Sequence, residues 1–302
     1  MEEQLNELRA LAAGAQNRRT ETGIPRVAMV KGAIPEHELA AVYDPMVNLI
    51  LQGSKSMTVG DRTLHYDTAT YFVMSVDLPA VGTVRAAASG EPYLAVSLTL
   101  DPAVIAGLLV DLPKPAVAPP GERQAGFSVA PLSHELMDAW VRMMRLMRRP
   151  DDIAALAPAY EREILYRVLQ GPHGGMLRDI ASPATGLARI SEAIRWIRRD
   201  FDKPLRVERL AERAAMSPSA FHRHFKAVTA LSPLQYQKRI RLLQARMHLI
   251  AGGRSVTAAA FDVGYQSATQ FSREYAREFG LPPTQDAAQI LAKVEGRGRS
   301  GR

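Results

Sequence analysis

The sequence predicts two domains of different fold class: a small β-barrel or sandwich with flanking helices, then an all-α domain in the C-terminal third. Short β-branched or aromatic segments recur at a spacing of about ten residues between residues 46 and 100, which is typical of barrels and sandwiches. After about residue 190, helical periodicity replaces this pattern. Within that helical part, a set of residues recurs at a spacing of fifty.

The β-rich part follows a predicted helix, Glu3 to Leu11, and irregular chain up to residue 42. The glycines Gly53, Gly60, Gly82 and Gly90 punctuate the six predicted strands, and a seventh strand closes this part of the chain. Asp101 and Pro102 supply an N-cap and a first-turn proline for a helix ending near Val110, and a Pro-rich stretch, residues 113–120, then breaks the chain. The seven predicted strands are Met46 to Gln52, Lys55 to Val59, Arg62 to Tyr66, Tyr71 to Val76, Ala80 to Ala87, Tyr93 to Leu100 and Phe127 to Ala130.

An amphipathic helix follows the last strand, and a second helix, ending near Leu169, begins after Pro150. Either the β-rich domain or a second protomer must cover the apolar stripe of the first helix, and the methionines in it suit both uses. Docking and homodimerisation therefore remain equal alternatives. The residues that would mediate dimerisation are Leu136, Trp140, Met143 and Met147.

Residues 171–189 are rich in glycine and predict a linker between the two domains, which would leave residues 1–170 as the first domain. Past the linker, helical patterns and caps predict six helices and a last short helix, Gln285 to Lys293, before a basic tail that we expect to be disordered. The six helices are predicted at residues 190–201, 207–214, 217–229, 233–250, 256–263 and 267–279.

Charge divides the chain at the same place. Residues 186–302 carry 21 Lys and Arg against 10 Asp and Glu, whereas the rest carries 17 against 21. A basic domain joined to a mildly acidic one predicts a polyanionic partner for the basic domain alone. The absence of cysteine excludes disulfides, thiolate nucleophiles and cysteine metal sites. Without a signal sequence or a long apolar run, we expect a soluble, cytoplasmic protein that does not enter membranes.

The fifty-residue repeat predicts two helix-turn-helix motifs, at residues 207–229 and 256–279. In each second helix a pair of aromatic residues four apart, Phe221 with Phe225 and Phe271 with Tyr275, would anchor the helix in the core. The repeated residues are Ser217, Phe221, Arg223, Phe225, Leu231 and Pro233 in the first copy, and Ser267, Phe271, Arg273, Tyr275, Leu281 and Pro283 in the second.

Polar residues beside those anchors are the candidates for contact with DNA, because arginine can bind guanine bidentately and small polar side chains fit the major groove. Double-stranded DNA is thus the expected partner, read at two adjacent half-sites by helices that are joined by a helix of roughly 27 Å. The predicted base contacts are Ser219, His222, Arg223, Ala268, Thr269, Ser272 and Arg273. The predicted phosphate contacts are Ser217, Lys226, Arg239, Arg241, Ser267 and Gln270.

Residues 190–286 resemble the DNA-binding domain of the AraC/XylS family of bacterial transcription regulators. One position departs from the family pattern: Ala230 stands where glycine is more common, as Gly280 does in the second copy. The segments that carry the resemblance include Leu210-Ala211, Phe221-His222-Arg223-His224-Phe225-Lys226, Leu231-Ser232-Pro233, Val263-Gly264-Tyr265, Gln270-Phe271-Ser272-Arg273 and Phe279-Gly280-Leu281-Pro282-Pro283.

The N-terminal part resembles the cupin-like domain of one branch of this family, through Leu51-Gln52-Gly53, Val59-Gly60-Asp61, Asp77-Leu78-Pro79 and Pro92-Tyr93-Leu94. This resemblance implies a double-stranded β-helix that senses a small-molecule effector, attached helices that can form a homodimer, and RNA polymerase as a further partner. Tyr66, Phe72, Met74 and Tyr93 are the candidate residues of an effector pocket.

Two alternatives remain open beside a ligand-responsive regulator. One is a constitutive regulator whose barrel only dimerises, and the other is a cupin-type enzyme or binding protein tethered to nucleic acid. Catalytic cupins need several histidines and a carboxylate around a metal, whereas the predicted strands offer His65 alone. We therefore expect no metal, no cofactor and no catalytic residues.

Overall fold

A computed structural model describes residues 1–32, 37–112, 125–182, 185–252 and 254–299, without the side chains of 37–39 and 293–299. The Pro-rich stretch, residues 113–120, falls outside the described residues. The chain divides into two compact units. The N-terminal unit comprises residues 1–192 and 219–231, and the C-terminal unit comprises residues 193–218 and 232–302.

The N-terminal unit contains two antiparallel sheets. The six-stranded sheet has the order β1-β2-β9-β4-β7-β10, and the four-stranded sheet has the order β3-β8-β5-β6. In the described residues, the β-rich domain therefore consists of two separate sheets and does not form a closed barrel. The strands are β1 Thr20–Glu21, β2 Val27–Gly32, β3 His37–Tyr43, β4 Met46–Gln52, β5 Ser54–Val59, β6 Arg62–Asp67, β7 Thr70–Met74, β8 Leu78–Arg85, β9 Tyr93–Thr99 and β10 Phe127–Pro131.

Alternation along β5 shows which faces of the sheets meet. Lys55, Met57 and Val59 are buried, and the residues between them are half-buried. The strand starts at a tight turn, where Gly53 has φ +77° and a Cβ would come within 2.3 Å of the carbonyl oxygen of Arg85. Only glycine fits this turn. β5 therefore presents every second side chain to the interior between the sheets.

The first three strands contradict the prediction of irregular chain up to residue 42. β2 pairs along its whole length with β9, and β3 pairs along its whole length with β8. Both partners come more than thirty residues later in the sequence, so local periodicity could not reveal the pairing. Gly23 and Pro25 precede β2, and because both residue types are typical of loops, they favoured a prediction of irregular chain.

Five helices complete this unit: α1 Glu2–Leu11, α2 Pro102–Val110, α3 His134–Arg145, α4 Ile153–Gln170 and α5 Gly174–Ala181. Asp101 caps α2 as predicted, since its carboxylate accepts a hydrogen bond from the Ala103 amide at 2.9 Å. α3 packs against α1 and α4. Leu136, Trp140 and Met143 are buried by this packing within one chain. The prediction that these residues dimerise is therefore wrong, because the unit itself covers them.

α5 occupies part of the stretch predicted to be a linker. Met176 and Leu177 are buried, and the helix packs against α2 and α4. The glycines before it suggested flexibility, but the apolar residues that follow give the segment a face to bury. The next helix, α6 Gly186–Arg199, begins only five residues after α5 ends.

The remaining helices are α7 Val207–Arg213, α8 Pro218–Thr229, α9 Pro233–Ile250, α10 Val256–Asp262, α11 Ala268–Phe279 and α12 Pro283–Arg299. A capping box formed by Ser232 and Gln235 is present at the start of α9. At Ser267 the structure shows only the forward bond to the Gln270 amide, because the Gln270 side chain donates to Glu274 at 3.3 Å instead. α12 ends at Arg299, beyond the predicted end at Lys293, although the added segment contains two glycines, which disfavour helix.

A buried ion pair holds α9 against α12. Arg246 donates two hydrogen bonds to the Asp286 carboxylate, at 2.8 and 2.9 Å. The Tyr275 hydroxyl donates to the same carboxylate at 2.7 Å, which ties α11 to both helices. These bonds satisfy a carboxylate that is only 4% exposed.

Candidate DNA-binding helices and buried polar cluster

The second helix-turn-helix motif, α10 with α11, lies wholly in the C-terminal unit. Ser255 caps α10 by accepting from the Ala258 amide, and Ser267 caps α11 in the same way. The turn between them passes through Gly264 at φ +85°, where a Cβ would come within 2.0 Å of the Asp202 carbonyl oxygen. A left-handed residue without a side chain is required at this turn.

Aromatic packing sets the orientation of α11. Phe271 and Tyr275 are fully buried, as predicted for the anchoring pair. Their rings lie 5.4 Å apart, and Tyr265 packs edge-on against Phe271 at 5.3 Å. Because these rings fix which face of α11 is buried, they also fix which residues of α11 face outward.

That opposite face exposes Thr269, Gln270 and Arg273. Among the described residues no carboxylate pairs with Arg273, whose Nε lies 3.5 Å from the Thr269 carbonyl oxygen of its own helix. Ser267, Ala268 and Ser272 are half-buried, and the Ser272 hydroxyl donates to the Ala268 carbonyl at 2.9 Å. Thr269 and Arg273 are thus the most accessible of the residues predicted to contact bases here.

α8 shows the same arrangement of buried and exposed side chains. Phe221 and Phe225 are fully buried, with ring centroids 5.6 Å apart. The predicted contacts on this helix and at its start are exposed: Ser217, Ser219, His222, Arg223 and Lys226. α8 ends at Ala230, which has a left-handed φ of +58°, just as α11 ends at Gly280 with φ +78°. Alanine in place of glycine at position 230 therefore leaves the backbone conformation after α8 left-handed, as it is after α11.

Two of the arginines predicted to contact phosphate have partners inside the C-terminal unit. Arg239 pairs with Glu278 at 2.6 Å. Arg241 donates to three backbone carbonyls, those of Phe201, Lys203 and Gly264, at 2.7 to 3.0 Å. Burial lowers the pKa of Arg241. Its guanidinium holds the loop before α7 against the turn of the second motif.

The four residues predicted to line an effector pocket are buried between the two sheets. Tyr66 on β6 stacks on Phe72 of β7 with ring centroids 5.0 Å apart, so the two sheets meet here. Met74 and Tyr93 are also buried. The hydroxyls of Tyr66 and Tyr93 find no hydrogen-bond partner among the described residues.

Lys55 and Tyr43 join this cluster, and sequence analysis missed both. Lys55 lies directly opposite Tyr66 in the register of β5 and β6, so the two side chains share a face. Its ammonium lies 4.8 Å from the centre of the Tyr43 ring. Burial lowers the pKa of Lys55 to about 8. The alternation Lys55, Met57, Val59 was the available signal, since it places a lysine on the apolar face of its strand.

Gly82 makes room for these two side chains. A Cβ at this position would lie 2.6 Å from the Tyr43 hydroxyl oxygen, 2.9 Å from Lys55 Cε and 3.4 Å from Lys55 Nζ. Met57 of β5 pairs with Gly82 on β8, so the glycine belongs to the same inward face. We call Tyr43, Lys55, Tyr66 and Tyr93 the polar cluster.

His65 lies outside this cluster. Its ring is exposed, and Nδ1 lies 2.7 Å from the Ser56 hydroxyl. Within the described residues, no group of three or more His, Asp or Glu side chains could hold a metal ion. In the same part of the chain, no helix is long and apolar enough to cross a membrane.

Curated relatives match part of the chain. The transcriptional activator RhaS of Escherichia fergusonii is 38% identical over 96 residues, which is 32% of this chain and 34% of RhaS. RhaS of Klebsiella pneumoniae is 33% identical over 146 residues, or 47% of this chain and 50% of RhaS. The matched part of the chain thus spans about a third to a half of the length of these relatives.

Solved structures of ToxT from Vibrio cholerae share the fold over most of the chain. ToxT with an unsaturated fatty acid bound has a TM-score of 0.53 at 10% identity and covers 87% of this chain and 93% of ToxT. ToxT bound to a naphthalenyl butenoic acid has a TM-score of 0.54 at 10% identity and covers 87% of this chain and 97% of ToxT.

Two family models match the sequence. Residues 210–289 match a helix-turn-helix domain. Residues 23–176, half of the chain, match the N-terminus of AraC-type transcriptional regulators. The β-rich N-terminal unit and the two helix pairs, α7 with α8 and α10 with α11, agree with both matches, and the chain belongs to the family of AraC-type transcriptional regulators.

Proposed function

We propose that the protein is a sequence-specific DNA-binding transcription regulator, in which α8 and α11 read two adjacent half-sites. The exposed face of α11 carries this proposal most directly, because buried Phe271 and Tyr275 turn Thr269 and Arg273 outward. The exposed Ser219, His222 and Arg223 would play the same part on α8. The domain boundaries that we propose for this function are residues 1–170 for sensing and 190–286 for DNA binding.

Phosphate contacts in this proposal come from exposed groups. Ser217 and Lys226 are exposed beside the base-reading residues of α8, and Gln270 is exposed on α11. We remove Arg241 from this set, because all three of its hydrogen bonds go to backbone carbonyls. Arg239 would have to leave Glu278 before it could reach DNA.

The decisive experiment selects operator sequences from a random DNA library with the full chain and with Arg273→Ala. We expect Arg273→Ala to weaken binding to the selected operator by about 1 to 3 kcal/mol and to relax preference at one base pair. Arg277→Ala is the matched control, since it removes the same charge from the last turn of α11. Equal loss on all sequences for Arg273→Ala would instead support the alternative of a nucleic-acid tether without base reading.

We further propose that a small-molecule effector binds between the two sheets and changes the population able to bind the operator. The buried, unpartnered hydroxyls of Tyr66 and Tyr93 support an effector site there. ToxT, which shares the fold, has been solved with small molecules bound. Operator binding with and without ligand tests this regulation, and RNA polymerase recruitment would be its output.

A homodimer remains part of the proposal, but through a surface other than the α3 stripe. Leu136, Trp140 and Met143 are already covered in one chain, whereas Met147 is half-buried. Light scattering compares the molar mass of the wild type with that of Met147→Ser. If the two masses are equal, Met147 does not mediate dimerisation, and none of the four predicted residues does.

A further inference from the structure

We propose that the polar cluster is a carboxylate-binding site, with the Lys55 ammonium and the Tyr66 and Tyr93 hydroxyls as donors to a small organic acid. This inference rests on the proposed effector function, and it adds the chemical class of the effector and the residue that selects it. It depends on the kind of polar group present, on the lack of described acceptors for Lys55, Tyr66 and Tyr93, and on the apolar surroundings.

Donors dominate the cluster. A lysine ammonium offers three N–H groups and accepts nothing, and each tyrosine offers one O–H group. No described carboxylate pairs with Lys55, and burial alone accounts for the lowering of its pKa. Tyr66 and Tyr93 are likewise without a described partner. The chemical complement of several donors and one positive charge is an anion with at least two acceptor oxygens.

The four groups come from both sheets and converge. Lys55 and Tyr66 are opposite each other on adjacent strands, and Tyr43 meets Lys55 across Gly82. Tyr93 belongs to the other sheet, and its charge and that of Tyr43 would raise the pKa of Tyr66. The hydroxyls therefore remain protonated donors at neutral pH, and Lys55, with a pKa of about 8, remains mostly charged.

Apolar side chains surround the donors. Phe72 stacks on Tyr66, and Met57, Met74 and Val84 are buried on the same inward faces. A low-dielectric surrounding strengthens a charged hydrogen bond and makes an isolated ammonium costly. The ligand should therefore combine one carboxylate with an apolar body. A sugar or a polyol would leave the ammonium without a counter-charge.

The test compares each acid with its own amide, on the full chain without DNA. Thermal unfolding is followed with benzoate against benzamide, and with acetate through decanoate against the corresponding amides. We expect at least one acid to raise the Tm in a saturable manner, and its amide, which has the same shape without the charge, to have no effect.

Variants identify the residues responsible. Lys55→Met should weaken binding of the active acid at least 50-fold, and Tyr93→Phe should weaken it about tenfold, because one donor is lost. Lys203→Met removes a lysine of the other unit and should leave the affinity unchanged. Tyr93→Phe should fold normally, because it deletes only a hydroxyl without a described hydrogen-bond partner. A loss of affinity in this variant therefore reports on binding and not on misfolding.

Three outcomes would overturn the inference: no acid in the series binds, an amide binds as well as its acid, or Lys55→Met retains affinity. Failure of the proposed function can be distinguished from failure of this inference, because operator selection uses DNA and α11 variants and requires no ligand. A chain that binds acids through Lys55 but no DNA would overturn only the regulator proposal.

Discussion

At the residue scale, the most consequential side chain is Lys55, because its position costs stability unless something compensates it. The side chain is 8% exposed, and its pKa falls from 10.5 to about 8 on burial. A charged group without a carboxylate partner in an apolar interior is found mainly at functional sites, where binding offsets the cost. The neighbouring groups, Tyr43, Tyr66 and Tyr93, have their pKa values raised by burial and stay neutral.

Lys55→Met should therefore stabilise the ligand-free protein at pH 7, by up to about 3 kcal/mol. The pKa in the folded state is below that in the unfolded state, so the unfolded chain binds the extra proton between pH 8 and 10.5. The free energy of unfolding of the wild type should rise with pH across this window. The advantage of Lys55→Met is thus largest below pH 8 and fades towards pH 10.5. Urea unfolding at pH 7 and pH 10 measures both values, and a destabilised variant at pH 7 would contradict the prediction.

Arg246 gives a second prediction at this scale. Arg246→Ala leaves the Asp286 carboxylate buried without its cation, and we expect a loss of about 3 to 5 kcal/mol in the stability of the C-terminal unit. Tyr275→Phe removes only the hydroxyl that donates to Asp286 and should cost about 1 kcal/mol. Urea unfolding followed by circular dichroism compares the two variants. A smaller loss for Arg246→Ala than for Tyr275→Phe would show that solvent reaches the carboxylate.

At the scale of elements, the two copies of the motif end their second helices with the same backbone and different residues. Ala230 and Gly280 both have positive φ. Left-handed backbone costs an alanine roughly 1 kcal/mol more than a glycine. The sequence revealed the motif because caps and aromatic spacing are local, but it could not show that Ala230 tolerates the conformation.

Ala230→Gly should accordingly stabilise the protein by about 0.5 to 1 kcal/mol. Gly280→Ala is the mirror-image control and should destabilise it by a similar amount, since no atom lies within 4 Å of the added Cβ and only the backbone is affected. Thermal unfolding of the two single variants measures both shifts. Shifts of the same sign would show that something other than backbone conformation decides the helix exit.

At the scale of the whole molecule, charge is divided between the two parts of the chain. Residues 186–302 carry a net charge of +11, from 21 basic and 10 acidic residues. Phosphate neutralisation releases counter-ions, so the logarithm of the operator affinity should fall linearly with the logarithm of salt concentration. Lys226→Ala should reduce that slope by about 1, and Lys203→Ala, which removes a lysine paired with Asp200, should not. Fluorescence anisotropy between 50 and 300 mM salt measures the slope, and a salt-independent affinity would contradict DNA binding by this charge.

Features that depend on neighbours along the chain could be predicted from the amino-acid sequence. Caps and the fifty-residue repeat were sufficient to predict the helices of the C-terminal part and the buried face of each second helix, because helix formation and capping are local. Strands with apolar alternation between glycines were found for the same reason.

Features that depend on contacts between distant segments could be seen only in the folded structure. β2 and β3 became strands by pairing with β9 and β8, the α3 stripe was covered by α1 and α4, and Arg241 was committed to three distant carbonyls. Lys55 is a buried cation because Tyr43, from a strand that does not pair with β5, packs against its ammonium. A periodic pattern shows that a side chain faces inward, but burial, partners and pKa depend on what the folded chain places opposite it.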